Sequence, residues 1–237
     1  MKEVQRGKRF VVLDDFLSVR DFASAQGLME HSSFTRRESV ISTEDGPAYR
    51  SKGARFTEEL GMDGAGGRPR VYEELAQMVH NQRSFFGSPG DDWDRIAFAF
   101  WKYPAGSRLG WHNDAGRGRR GEFILFLHDR WRPSWGGELK LLDVDPPAAE
   151  PDEPAEDDVV LRMEQRIERS ETSPLAIVPK PNRLVLVRSG TIHTISRVDP
   201  TAGDTLRHSL TGFVSKSSKH ELYRTAAREA FNTILAG

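Results

Sequence analysis

Three residues in this chain have the types and spacing to hold a reactive metal: His112, Asp114 and His193. His112 and Asp114 lie in Trp111-His112-Asn113-Asp114, and two positions apart on an extended strand both side chains leave from one face. His193, in Gly190-Thr191-Ile192-His193-Thr194, is the best third partner, and its distance along the chain predicts that strands from opposite sheets converge on the site. Two neutral imidazoles and one carboxylate leave part of a coordination sphere free, which suits an Fe(II) ion that must also bind oxygen. A bare His-x-Asp occurs by chance in many chains, so the surrounding residues carry the weight.

The next informative stretch is Arg207-His208-Ser209-Leu210-Thr211-Gly212-Phe213. On a strand Arg207, Ser209 and Thr211 share one face, while His208 and Leu210 take the other, which removes His208 as a ligand. An arginine inside a barrel is costly unless an anion neutralises it. Its guanidinium forms a bidentate fork for a carboxylate, so Arg207 with Ser209 could grip the far end of a dicarboxylate whose 2-oxo acid end chelates iron. Arg197, on the strand face of His193, is the fallback anchor. Tyr103 is a candidate for the cavity wall. Arg117, Arg119 and Arg120 read as a solvated turn that could instead attract an anionic substrate. Trp101, Trp111, Trp131 and Trp135 serve a pocket or a β-core equally well, and His31, His80 and His220 read as ordinary residues of helical regions.

Composition narrows the class. The 237 residues suffice for a buried core, and 34 basic against 35 acidic side chains give a net charge of -1, so no electrostatic argument favours a nucleic-acid partner. Cysteine is absent, which excludes disulfides, thiolate metal sites and cysteine nucleophiles and suits a cytoplasmic protein. The polar N-terminus does not read as a signal peptide, and no apolar run approaches the ~20 residues of a membrane span.

The elements that must position these residues follow from periodicity. Phe10-Val11-Val12-Leu13 reads as a buried strand, and Ser18 caps a helix to about Glu30. Residues 32–67 are broken by turns, with Val40-Ile41 as the one clear strand cue. Leu75, Met78, Val79, Gln82, Phe85 and Phe86 predict a single helix ended by Gly87. From Arg95 the period becomes two, giving strands at 96–103, around His112, at 122–128, from 139, at 175–178, 183–187, 191–198 and 206–214. Residues 143–173 form a Pro- and acid-rich insertion, read as a candidate substrate lid, within which Val159-Val160-Leu161-Arg162-Met163 reads as a short strand. The tail from Lys219 to Leu235 reads as a helix. The expected organisation is a single domain, mainly β with flanking helices: 1–94 as strand and supporting helices, 95–215 as a double-stranded β-helix (jelly roll), and 216–237 as a closing helix.

Taken in order, Tyr103-Pro104-Ala105-Gly106, Trp111-His112-Asn113-Asp114, Phe123-Ile124-Leu125-Phe126-Leu127, Trp135-Gly136-Gly137-Glu138-Leu139, Pro181-Asn182-Arg183-Leu184-Val185, His193 and Arg207 to Phe213 resemble the 2-oxoglutarate/Fe(II) oxygenases of the prolyl 4-hydroxylase type. The resemblance covers roughly residues 95–215, and Val11 to Leu17 is similar to that family's start. It implies iron ligands at His112, Asp114 and His193, and 2-oxoglutarate held by Arg207 with help from Ser209. Two positions depart from the family: Phe126 stands where many relatives have a tyrosine hydroxyl touching 2-oxoglutarate, and His128 where an asparagine is usual. The aspartate at position 114 favours hydroxylation over halogenation, because halogenating relatives carry a small residue there. The implied reaction consumes O2 and 2-oxoglutarate, releases succinate and CO2, and hydroxylates an unactivated C–H bond. The substrate expected is a small molecule or amino-acid derivative, with a prolyl peptide as the alternative. A cupin-like metal isomerase and a non-catalytic jelly-roll binding module are the rivals of another class.

Overall fold

The computed structural model describes residues 1–57, 69–116, 118–145 and 158–217. Thirteen strands are formed among them: β1 Lys2–Arg6, β2 Phe10–Asp14, β3 Phe34–Arg37, β4 Ala48–Ser51, β5 Ala54–Thr57, β6 Arg95–Tyr103, β7 Leu109–His112, β8 Arg119–Phe126, β9 Leu139–Leu141, β10 Leu175–Ile177, β11 Leu184–Arg188, β12 His193–Ile195 and β13 Arg207–Ser215. The helices are α1 Val19–Glu30, α2 Arg70–Asn81, α3 Arg83–Phe86 and α4 Val159–Glu168.

Nine strands make one sheet in the order β1-β2-β11-β8-β13-β6-β4-β3, with β5 also on β6, and four make a second in the order β10-β9-β12-β7. All pairings between these strands are antiparallel. The period-two alternation sorts side chains between two cores. Phe123, Leu125, Leu184, Leu186, Leu210, Phe98 and Phe100 face α1 and α2, where they meet Ala25, Met29, Leu75 and Val79. Ile124, Phe126, Val185 and Val187 point the other way and meet Leu139, Leu141 and Ile177 of the small sheet. The two facing sheets make the expected jelly roll, with helices on the outer side of the large one.

Ser18 accepts a hydrogen bond from Asp21 N at 3.1 Å and starts α1 as expected. The predicted helix over 75–86 is broken at Gln82 (φ -94°, ψ 48°) into α2 and α3, and Gly87 at φ 89° ends it. Val40-Ile41 is not a strand; the ladder forms earlier, at β3. The reading of Val159–Met163 as a strand is overturned, because these residues open α4. Asp158 accepts from Val160 N and Leu161 N at 2.9 and 3.1 Å and so caps a helix that β-branched composition alone argued against. Met163 of α4 packs with Leu142 and Ile192, beside Trp111, on the side of the small sheet away from His112. This part of the insertion is therefore a buttress. The remainder of the lid reading, 146–157, and the closing helix lie outside the described residues.

Candidate metal and 2-oxo acid site

His112 ends β7 and His193 opens β12, and the two are direct partners in one antiparallel ladder. The strands are neighbours in the small sheet, which corrects the expectation that opposite sheets bring the ligands together. Their ring centroids lie 4.1 Å apart. Each Nδ1 faces a backbone carbonyl of its own strand region, His112 to Gly110 O and His193 to Thr191 O, both at 2.8 Å. Those carbonyls can only accept, so each Nδ1 carries the proton and each Nε2 keeps a free lone pair.

Asp114 does not continue the strand. Its backbone is left-handed, φ 46°, a conformation that aspartate tolerates better than most side chains. This turn brings Oδ2 to 3.4 Å from His112 Nε2 and 3.8 Å from His193 Nε2. The three ligand atoms all lie within 4.8 Å of one another, and no other such group of His, Asp or Glu occurs among the described residues. Cis ligands each about 2.1 Å from an ion would be about 3 Å apart, so small side-chain movements suffice to close on a metal. Burial pushes the Asp114 carboxyl up, yet the hydrogen bond and charge of His112, then His193 and Arg119, hold it well below the usual range. Burial lowers His193, against the pull of Asp114. The donor set fits a divalent iron with open positions.

Two residues here escaped the sequence reading. Arg119, expected in a solvated turn, donates to both the carbonyl and Oδ1 of Asp114 and lies over the Phe213 ring at 3.9 Å. It holds the carboxylate with Oδ2 turned to the histidines. Glu122 is buried on β8 with Oε1 3.2 Å from His193 Nε2; burial and the charge of Asp114 push it up to about 8. Its signal was parity: it shares a face with Ile124 and Phe126, an acid at a core-facing position.

Arg207 comes from the opposite sheet, cross-strand from Tyr103. It is 1% exposed. Nε donates to Gly137 O at 2.7 Å, whereas Nη1 and Nη2 have no hydrogen-bond partner. The guanidinium lies 4.9 Å from the Phe126 ring and 5.5 Å from the Tyr103 ring. Burial draws its pKa down to about 10, so it stays charged at neutral pH. A buried cation with two idle donors is costly alone and is satisfied by a planar carboxylate. Ser209, also buried, points to the same side, with Oγ 3.4 Å from Thr211 Oγ1. Tyr103 is buried beside Arg207, its phenol pushed up to about 12 by burial. Arg197 is engaged elsewhere, on the carbonyls of Gly106 and Glu44, which removes it as an alternative anchor. One cavity of about 350 Å³ is lined by the metal triad, Glu122, Tyr103 and Arg207 among others.

Comparison with known proteins bears on the family and the fold. The model of the 2OG-Fe(II) oxygenase superfamily matches residues 98–215. A Pseudomonas putida prolyl-4-hydroxylase superposes with TM-score 0.56 at 16% identity, over 89% of this chain and 94% of that one. HygX from Streptomyces hygroscopicus, solved with nickel, 2-oxoglutarate and hygromycin B, gives 0.56 at 12% identity over 90% and 84%. A Trichoplax adhaerens prolyl hydroxylase in complex with a hypoxia inducible factor peptide fragment gives 0.52 at 18% over 88% and 84%. No curated protein sequence matches the chain. The chain belongs to the 2OG-Fe(II) oxygenase superfamily and is an oxygenase that uses Fe(II) and 2-oxoglutarate. No helix among the described residues is long and apolar enough to cross a membrane.

Proposed function

We propose that His112, Asp114 and His193 hold the iron, that Arg207 binds the distal carboxylate of 2-oxoglutarate, and that the enzyme hydroxylates an aliphatic C–H bond of a small or amino-acid-derived molecule. The observation that carries this reading is the pairing of two Nε2 lone pairs and a carboxylate with a buried guanidinium whose Nη atoms lack partners. Iron and 2-oxoglutarate together supply the oxidising chemistry, with succinate and CO2 as the co-products. The chain's own residues orient and enclose. The Gly110 and Thr191 carbonyls fix the imidazole tautomers, and Arg119 aims the carboxylate. Ser209 and the Tyr103 ring flank Arg207, which supports Tyr103 as the source of the hydrogen bond that Phe126 cannot make. A cavity of about 350 Å³, with residues Glu38 to Ile41 along its wall, supports a small substrate over a long peptide. The peptide-bound prolyl hydroxylase relative keeps a prolyl peptide as the second reading.

The N-terminal strands join the sheet that carries Arg207, which supports one oxygenase domain. A cytoplasmic setting is supported by the cysteine-free composition. The test is anaerobic addition of Fe(II) and 2-oxoglutarate, which should produce a visible charge-transfer band, followed by a screen for compounds that trigger succinate release. No band with the wild-type protein, or an undiminished band with Arg207→Gln at limiting 2-oxoglutarate, would overturn the assignment.

A further inference from the structure

The inner face of the large sheet does not end at Arg207. Strand register carries one row from Phe126 through Ser209, Trp101 and Arg50 to Thr35. Across the β3–β4 ladder, two residues further along, Arg37 pairs with Ala48. Directly opposed residues share a face, so Arg50 and Arg37 point to the same side as Trp101 and Ser209. Both line the cavity. Arg50 lies two strands from the one that carries Arg207, roughly 10 Å across the sheet.

These cations differ from Arg119 and Arg108, which also line the cavity. Arg119 is satisfied by Asp114, and Arg108 by Glu44 and Asp45. Among the described residues neither Arg37 nor Arg50 forms an ion pair. Arg50 instead lies over the Trp101 ring at 5.6 Å, which in turn stacks on Tyr103 at 6.1 Å between centroids. Burial, with the neighbouring charges of Arg37 and Arg55, lowers the Arg50 pKa. Like charges on a shared concave wall, with no internal counter-ion, favour an incoming anion. The guanidinium fork fits planar or tetrahedral oxyanions.

We propose that Arg50, assisted by Arg37, is the specificity subsite for the primary substrate, which carries a carboxylate or phosphate there and lays its apolar body along Trp101. This rests on the assignment of Arg207 to 2-oxoglutarate, which leaves the Arg50 pair for a second anion. Arg119, by contrast, is engaged by Asp114, and Arg117 lies outside the described residues.

The experiment uses the protein loaded anaerobically with Fe(II) and saturating 2-oxoglutarate, so that Arg207 is filled. The charge-transfer band is recorded first; its absence would sink the oxygenase site and not this subsite. Two matched probe pairs, benzoate with benzamide and hexanoate with hexanamide, are then titrated by calorimetry. At least one acid should bind about tenfold or more tightly than its amide, as expected of a charge-assisted contact. The preference should weaken with added salt, disappear in Arg50→Gln, and fall several-fold in Arg37→Gln, with the band unchanged in both variants. Equal binding of acid and amide in both pairs, no binding of either acid, or an intact preference in Arg50→Gln would overturn the proposal. Phosphate added as competitor separates the sources: displacement of the acid points to a phosphorylated substrate, and failure to displace points to a carboxylate, within the same subsite.

Discussion

At the scale of single residues, Arg207 is the most exposed to test. Its Nη atoms have no protein partner, so Arg207→Gln would remove the counter-charge proposed for 2-oxoglutarate while disturbing few protein contacts. The KM for 2-oxoglutarate should rise on the order of a hundredfold, with metal binding to the triad unchanged; coupled loss of metal affinity would argue against separate roles. His128 gives a pH prediction. Burial takes it from 6.5 down to about 3. The unfolded chain therefore takes up a proton first as pH falls, so stability is full above pH 6.5 and declines between there and pH 3. At pH 5 this amounts to about 2 kcal/mol. In His128→Asn the melting temperature should fall less between pH 7 and pH 5; parallel slopes for the two proteins would remove His128 as the cause.

At the scale of elements, the turn before β9 does two jobs for Arg207. Gly137 has φ 68°, its carbonyl receives Arg207 Nε, and an added Cβ would lie 2.9 Å from Arg207 Cδ. Gly137→Ala should displace the guanidinium and weaken 2-oxoglutarate binding by about 10- to 100-fold, the equivalent of roughly 1–3 kcal/mol of crowding. Metal binding, measured with Mn(II), should stay within twofold. Much at this scale was legible from residue types: alternation marked β6, β8, β11 and β13, and Ser18 announced α1. What was not legible depended on local competition. The sequence Val159-Val160-Leu161 favours a strand by side-chain branching, yet the Asp158 cap and burial of Met163 made it a helix. The ion pair of Arg119 with Asp114 depends on a turn geometry that spacing alone does not reveal.

At the scale of the molecule, the clustering of His112, Asp114 and His193 was readable because few residue types bind metals, whereas the way the sheets deliver it was not. His112 and His193 meet within one sheet, and the partner guanidinium arrives from the other. Strand order is set by contacts distant in sequence, which periodicity does not encode. Glu122 shows the same limit, since only the folded barrel places it against His193.

Because the two imidazoles are registered by a backbone ladder and each is braced by a carbonyl two residues before it, the socket proposed for the ion is already shaped by the polypeptide. Chelator-treated protein should therefore retain its far-ultraviolet dichroism and a cooperative melt. Metal should then add thermal resistance that grows with the logarithm of its free concentration, by about 1.4 kcal/mol per tenfold above the dissociation constant. Collapse of the dichroism on chelation would mean that the ion organises the strands, and not the strands the ion.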